Sequence, residues 1–419
     1  MASDMSRKDA PLALHKLSDY LCRYYGKKVI ILLDEYDTPM QEAFVHGYWE
    51  EMVEFTRSLF NATFKTNPYM ERAVMTGITR ISKESMFSDM NNLKVITTTS
   101  EKYATAFGFT EEEVFAALEE CGYGEQREEV KRWYDGFVFG KQKDIYNPWS
   151  ILNYLDTGEL AAYWVNTSSN ALAEKLIREG SNELKTDIEA LLRKETIFST
   201  LDEQVIYNQL DDSEDAIWSL FLACGYLKVL HYEVSEFEDD EFVYEMALTN
   251  HEVETMFRKM VKKWFRDSRR NYNTFVRAML EDDLENMNEA MNRMAKDMFG
   301  SFDVGRKPSE KQPERFYHGF VLGLIVDLSH THTVTSNRES GYGRYDVMIE
   351  PKDKKEDAII LEFKVYDEKK ENTLEDTVSS ALKQIEEKQY ETELITIGFA
   401  KEQIRKYGFA FEGETVLIG

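Results

Sequence analysis

A chain of 419 residues has length for roughly three domains at ~150 residues each. Its 42% hydrophobic and 13% aromatic content, with only 7 prolines, excludes a disordered chain. A formal charge of −26, from 51 basic and 77 acidic residues, excludes nonspecific coating of a polyanion unless positive charge is gathered locally or supplied by a divalent cation.

Cys22, Cys121 and Cys224 are odd in number and far apart, so neither a disulfide framework nor a local zinc site can form, and a reducing, cytoplasmic compartment is expected. No apolar leader opens the chain and no window holds the ~18 uncharged apolar residues of a membrane span, so no membrane partner is expected.

In chain order, an opening helix carries Leu12, Leu17, Leu21 and Tyr25 on one face and ends at Gly26. The run VIILL that follows reads as a parallel strand buried on both faces. A long helix from about Gln41 to Lys65 and a second apolar strand ending near Thr76 complete a β-α-β unit of an open α/β sheet. From Thr110 to about Leu192 the pattern is helical, as in a lid, and is broken by the aromatic, turn-rich WYDGFVFGKQKDIYNPWS.

Between Ala216 and Phe265 the order is helix, two strands and helix, which fits a winged helix. Its end gathers Arg258, Lys259, Lys262, Lys263, Arg266, Arg269 and Arg270, either a phosphate-contacting face or a solvated helix face. AMLEDDLENMNEAMNRMAKDMF reads as a helix whose methionines fill a core. Beyond the turn-rich stretch around Lys307, Pro308 and Pro313, the pattern predicts a helix (ERFYHGFVLGLIVDL), strands THTVTS, GRYDVMIE and AIILEFKV, a helix (LEDTVSSALKQIEEKQY) and a strand (LITIGFA).

Two constellations carry chemistry. ILLDEYD sets Asp34 and Glu35 just past a buried strand, the edge where open α/β sheets bind ligands. An Asp there can hold Mg²⁺ and a Glu can polarise water in a phosphate-hydrolysing site. If the next strand is a neighbour, Thr76, Gly77, Thr79 and Arg80 stand where a γ-phosphate would be sensed; the alternative is that they are turn and capping residues. No G-x-x-x-x-G-K-[ST] loop accompanies them: Gly26-Lys27 precedes a strand, and Gly136 to Lys141 has the wrong spacing.

In the second constellation, the polar link PKDKKED joins GRYDVMIE to IILEFKV as a hairpin and brings Asp346 near Glu362. Alternation puts Glu362 and Lys364 on one face, and Leu361, Phe363 and Val365 on the other, a core face. Charges interrupting a strand fit for burial need compensation, which Mg²⁺ or Mn²⁺ on Asp346 and Glu362 would provide. Lys364 can then orient or deprotonate the attacking water. The alternative is a cross-strand salt bridge. His330 and His332 share a strand face, but no further Cys or His stands at useful spacing, so both are read as surface residues.

ILLDEYDTPM, AVMTGITRISKESMFSDMNNLKVIT, WYDGFVFG with YNPWSILNYL, and SNRESGYGRYDVMI together resemble bacterial AAA-ATPase-like proteins with a C-terminal PD-(D/E)XK nuclease-superfamily domain. The resemblance implies an α/β architecture in three parts: an ATPase core of the P-loop type lacking its phosphate loop over residues 1–109, a helical lid and winged-helix-like region over 110–300, and a restriction-endonuclease-like domain over 301–419. It implies Asp346, Glu362 and Lys364 as the nuclease site, with Glu314 on the preceding helix and Gln384 and Tyr390 on the following one. Glu314 reads equally as a helix cap, and Gln384 and Tyr390 as polar helix positions.

Asp34 and Glu35 would be the metal-holding and catalytic acids of the ATPase part and Arg80 its phosphate sensor, with ATP bound only where an upstream segment supplies the loop. Nucleic acid, DNA favoured over RNA, is the implied partner, and a homo-oligomer is compatible. Two other readings stay open: a noncatalytic regulatory or assembly module with a vestigial nuclease site, and a metal-dependent nucleotide hydrolase.

Overall fold

The computed structural model describes residues 9–78, 93–166, 170–201, 210, 213–234, 242–264, 269–302, 312–340, 343–368, 370–413 and 415–419. The chain divides into two compact units, residues 1–176 with 198–253, and residues 177–197 with 254–419. No described helix is long and apolar enough to cross a membrane.

The first unit opens with α1 (Ala13–Tyr25), β1 (Val29–Leu33), α2 (Thr38–His46), α3 (Trp49–Phe60) and β2 (Met70–Met75). β1 and β2 pair in parallel, so the strands carrying the first constellation are neighbours, as expected. Burial on both faces is not found: Ile30 and Leu32 are 56% and 76% exposed, because the described residues cover this pair on one side only. Leu12, Leu17, Leu21 and Tyr25 of the opening segment are likewise exposed. The single helix expected from Gln41 to Lys65 breaks at Gly47, whose φ of 78° caps α2.

Then come β3 (Phe109–Thr110), α4 (Glu111–Glu120), α5 (Arg127–Tyr134), β4 (Phe137–Phe139), β5 (Gln142–Tyr146), α6 (Pro148–Thr157) and α7 (Ala171–Glu179). The aromatic break is a structural clasp. Trp133 packs edge-on against His251, with ring centroids 4.5 Å apart, and the Tyr134 hydroxyl donates to Ala161 O at 2.9 Å. Gly136 has a φ of 122°, and a side chain there would meet Thr249 O at 2.2 Å. Asn147 caps α6 by accepting from Trp149 N and Ser150 N.

After α8 (Asn182–Leu192) and β6 (Ile197–Thr200), the helix-strand-strand-helix order is found as α9 (Glu214–Ala223), β7 (Leu227–Val234), β8 (Phe242–Leu248) and α10 (His251–Trp264), with β8 between β6 and β7.

The second unit adds α11 (Arg269–Glu281), α12 (Leu284–Phe302), α13 (Gln312–Leu328), β9 (His332–Ser340), β10 (Gly343–Pro351), β11 (Ala358–Val365), α14 (Leu374–Glu387), α15 (Thr392–Thr396), β12 (Ile404–Glu412) and β13 (Thr415–Ile418). The methionine-rich stretch is split at Asp282, whose φ is 61°, and Met287, Met291 and Met294 are buried as core, as expected. The segment LITIGFA, expected to be a strand, forms α15 and a turn. Its Leu394 faces the core, and Gly398, with φ 104°, ends it.

Five strands lie in the order β13-β12-β11-β10-β9. β9, β10 and β11 form an antiparallel meander, α14 crosses to the parallel β12, and β13 pairs antiparallel with β12. One sheet face carries Met348, Ala358 and Ile360 against Ile385 and Leu382 of α14 and Tyr390, Leu394 and Phe399. On the other, Phe363 stacks on Phe409 and Phe411 at 4.5 and 5.9 Å and meets Phe320. The edge strand β13 is sealed by side-chain amides one helical turn apart on α12: Asn288 exchanges hydrogen bonds with Ile418 N and O, and Asn292 with Val416 N and O.

Gly408 of β12 sets the distance of α14 from the sheet. A methyl there would stand 2.8 Å from Val378 O and 3.1 Å from Ala381 Cβ, so only glycine lets the helix lie this close. Gly408→Ala should cost about 1–3 kcal/mol through overpacking. Urea denaturation read by circular dichroism checks this, and an unchanged midpoint would show that α14 yields freely.

Candidate active site

The hairpin β10–β11 pairs through Val347↔Leu361 and Ile349↔Ile359. One step further, where Asp346 would face Glu362, the ladder gives way: Asp346 Oδ2 accepts from Phe363 N at 2.7 Å. A side-chain carboxylate there takes the place of a backbone acceptor, which fixes its direction beside the next strand. The apolar row Ala358 and Ile360 continues on the same face as Glu362 and Lys364, where β11 runs beside Gly408 and Ala410 of β12.

Gln384 of α14 joins these groups. Its Nε2 donates to Glu362 Oε1 and, at 3.1 Å, to the Tyr390 hydroxyl, while its Oε1 accepts from Lys364 Nζ at 2.9 Å. The helix is aimed by a capping box in which Thr373 accepts from Asp376 N and Asp376 accepts from Thr373 N at 3.1 Å. Glu362 is only 3% exposed, and its Oε2 is buried without a hydrogen-bond partner.

Residues 312–419 match the PD-(D/E)XK nuclease superfamily, and residues 2–87 match a family described as Predicted AAA-ATPase. The chain joins an AAA-ATPase-like segment to a PD-(D/E)XK nuclease superfamily domain. It is also similar to an "Uncharacterized protein in vnfD 5'region" of Azotobacter chroococcum mcd 1, 29% identical over 155 residues, which are 37% of this chain and 30% of that protein's length. No solved structure matches.

A PD-(D/E)XK nuclease domain implies a nucleic-acid substrate, and the superfamily typically uses Mg²⁺ or Mn²⁺. The residues present fit such an ion. Asp346 and Glu362 are hard oxygen donors on adjacent strands, one buried oxygen lacks a donor, and Mg²⁺ needs only one or two carboxylates beside its waters. Among the described residues no group of three Asp, Glu, His or Cys side chains is gathered for a metal. Burial raises the Asp346 carboxyl to about 6, against the Phe363 N–H and Lys364, which favour its charged form. Burial and then the Asp346 charge push Glu362 up to about 8, against the opposing pull of Lys364, the Asp346 N–H and Gln384.

Other expected site residues are placed as follows. Glu314 lies in α13, with its side chain outside the description, and Arg80 and Thr79 lie outside the described residues. Asp34 and Glu35 are exposed at the end of β1, and Thr76 at the end of β2 donates to Asp34 Oδ1. Glu35 takes a left-handed φ of 50°, and its N–H points to Asp34 Oδ1 at 3.1 Å and Thr76 Oγ1 at 3.3 Å. Two sequence readings are corrected. His332 is buried, not on the surface, with Nδ1 2.9 Å from Thr331 Oγ1, because β9 is covered at its start. Val365 is 58% exposed, because β11 outruns its core there. Gly408 is the positioning residue that sequence reasoning missed; a glycine inside the strand pattern IRKYGFAFE was its signal.

The raised carboxyls set a pH dependence for the metal-free protein. From the ordinary carboxylate range up to about pH 8, the folded state holds protons that the unfolded chain has released, so stability falls as pH rises. Thermal melts in a chelator should show a decline on the order of a few kcal/mol between pH 5 and pH 8. Glu362→Gln should make it shallower, with Glu189, pushed up to about 8 by burial, and Asp346 and Asp135, raised to about 6, keeping the rest. A Glu362→Gln profile parallel to wild type would place the proton uptake elsewhere.

Proposed function

We propose that the C-terminal domain hydrolyses phosphodiester bonds of nucleic acid, DNA in preference to RNA, with Mg²⁺ or Mn²⁺ held by Asp346 and Glu362. The observation that carries this reading is Glu362, a buried carboxylate with one oxygen bonded to Gln384 and the other without a donor, beside Asp346 and Lys364. When bound, the ion supplies positive charge that offsets the two carboxylates and polarises the scissile phosphate. Lys364 then orients or deprotonates the attacking water and stabilises charge on the transition state.

Gln384 is a positioning residue: its amide oxygen holds Lys364 and its NH₂ holds Glu362, so the cation and the carboxylate are kept in register without neutralising one another directly. Tyr390, 1% exposed, anchors that amide from behind. Glu314 is a further candidate acid from α13. In the same reading, the α9–α10 region is a winged helix, and Asp34, Glu35 and Arg80 belong to a nucleotide switch.

The test is cleavage of labelled single- and double-stranded DNA by the purified chain with Mg²⁺ or Mn²⁺. Asp346→Ala and Glu362→Ala should abolish cutting. Lys364→Ala should lower the rate by about 10²–10⁴-fold while calorimetry still detects metal binding. Wild-type cutting by Glu362→Ala would sink the assignment.

A further inference from the structure

The arginines at the start of α11 find no use in the nuclease site itself. α11 buries Tyr272, Phe275, Ala278 and Met279, which turns Arg269, Asn273 and Arg277, at every fourth position, and the parallel row Arg270 and Thr274 outward. These five residues line a cavity of about 410 Å³ open to solvent. Among the described residues, the guanidinium groups of Arg269, Arg270 and Arg277 make no hydrogen bond or ion pair.

The other arginines whose side chains are described are engaged, in a chain where acids outnumber bases by 77 to 51. Arg258, counted with the same basic cluster in the sequence, is fully engaged: it bonds Glu254 at 2.9 Å, Ser329 Oγ at 3.1 Å and Leu192 O at 3.2 Å. Arg405 is likewise spent on Asp357 at 2.8 Å and on Leu280 O at 3.1 Å. Like charges crowded on two helical turns repel one another, so an unpaired row of them is retained against its own electrostatics.

The direction of α11 places this row. Arg405 touches the carbonyls of Met279 and Leu280 at the end of α11, whereas Phe409 meets Phe275 nearer its start. The helix therefore runs antiparallel to β12. Its first turn lies toward the strand end where Gly408 and Ala410 pair with Glu362 and Lys364, with α11 on the opposite face of the sheet from those two side chains. From Arg269 to Arg277 the row extends about 12 Å, a length over which duplex DNA presents several phosphates at ~3.4 Å per strand.

We infer that this face of α11 is a docking surface for the phosphate backbone of the nucleic-acid substrate, with Arg269, Arg270 and Arg277 as the charge contacts and Asn273 and Thr274 as neutral hydrogen-bonding neighbours. The surface rests on the nuclease reading and extends it from chemistry to substrate grip. Guanidinium forks match phosphate oxygens, and a local positive row on an acidic protein steers a polyanion to one place.

The test compares the full-length chain with an Arg269→Gln/Arg270→Gln/Arg277→Gln variant and with a Lys27→Gln/Lys143→Gln/Lys401→Gln charge control. Binding of fluorescein-labelled duplex DNA is read by anisotropy across a salt series, with Ca²⁺ replacing Mg²⁺ so that turnover plays no part. The arginine variant should bind at least about tenfold more weakly at low salt, with a log–log salt slope shallower by roughly 3. The control should keep most of its affinity and its wild-type cleavage.

Should the triple variant fold poorly, the single substitutions Arg270→Gln and Arg277→Gln serve, each expected to shift the slope by about 1. Unchanged affinity and slope in the triple variant overturn the surface while leaving the nuclease site intact. Loss of self-association by sedimentation with DNA affinity retained also overturns it, in favour of a second, acidic copy of the chain as occupant. A wild-type chain that binds no DNA at low salt overturns it too, and the Glu362→Ala cleavage comparison then judges the nuclease reading by itself.

Discussion

The arrangement around β11 is governed by the cost of burying the Glu362 carboxylate. A charge taken from water into a sheet interior must be paired, hydrogen-bonded or protonated, and the protein supplies each remedy only in part. Gln384 donates to one oxygen, the second has no donor, and the neighbouring Asp346 adds repulsion. Lys364 is turned to the Gln384 carbonyl at 2.9 Å. An ordinary cross-strand salt bridge would satisfy itself, and this one does not.

Several features far from the carboxylates follow from that constraint. Gln384 reaches β11 because α14 lies close, α14 lies close because position 408 has no side chain, and β12 is held flat at that point by Gly419 pairing with Gly408 through both backbone groups. Tyr390 spends its hydroxyl on the same amide. The phenylalanine stack of Phe363, Phe409 and Phe411 anchors the opposite face of the same strands, so the polar network is mounted on a rigid support.

Much of this was legible in the sequence, because period-two alternation and a polar link suffice to bring Asp346 near Glu362 and to put Lys364 on the same face as Glu362. Gln384 and Tyr390 were named from the resemblance, and the structure brings both to the carboxylate. Less legible was anything set by tertiary contact. LITIGFA has the β-branched composition of a strand, yet Leu394 is used by the α14-side core and the segment turns helical. Asn288 and Asn292 looked like ordinary helix-surface residues, and their task of sealing β13 depends on a strand nearly 130 positions away. VIILL promised burial on both faces, but composition cannot say how many layers surround a strand.

Each unit meets part of its charge internally. In the first, Lys131 is encircled by Glu111, Asp135 and Asp144, and Glu252 is buried with Ser150 Oγ at 2.8 Å and Trp164 N at 2.7 Å as donors, although Asp135 Oδ1 is left without a hydrogen-bond partner. In the second, carboxylate charge is left open on one sheet face and guanidinium charge on an outer helix of the other layer. On the proposed nuclease reading, incompletely met charge of both signs suits an outside species that carries both: a phosphodiester chain accompanied by its cation. A protein with a net charge of −26 would, on that reading, hold such a chain where metal neutralises its acids and the arginines of α11 face outward together.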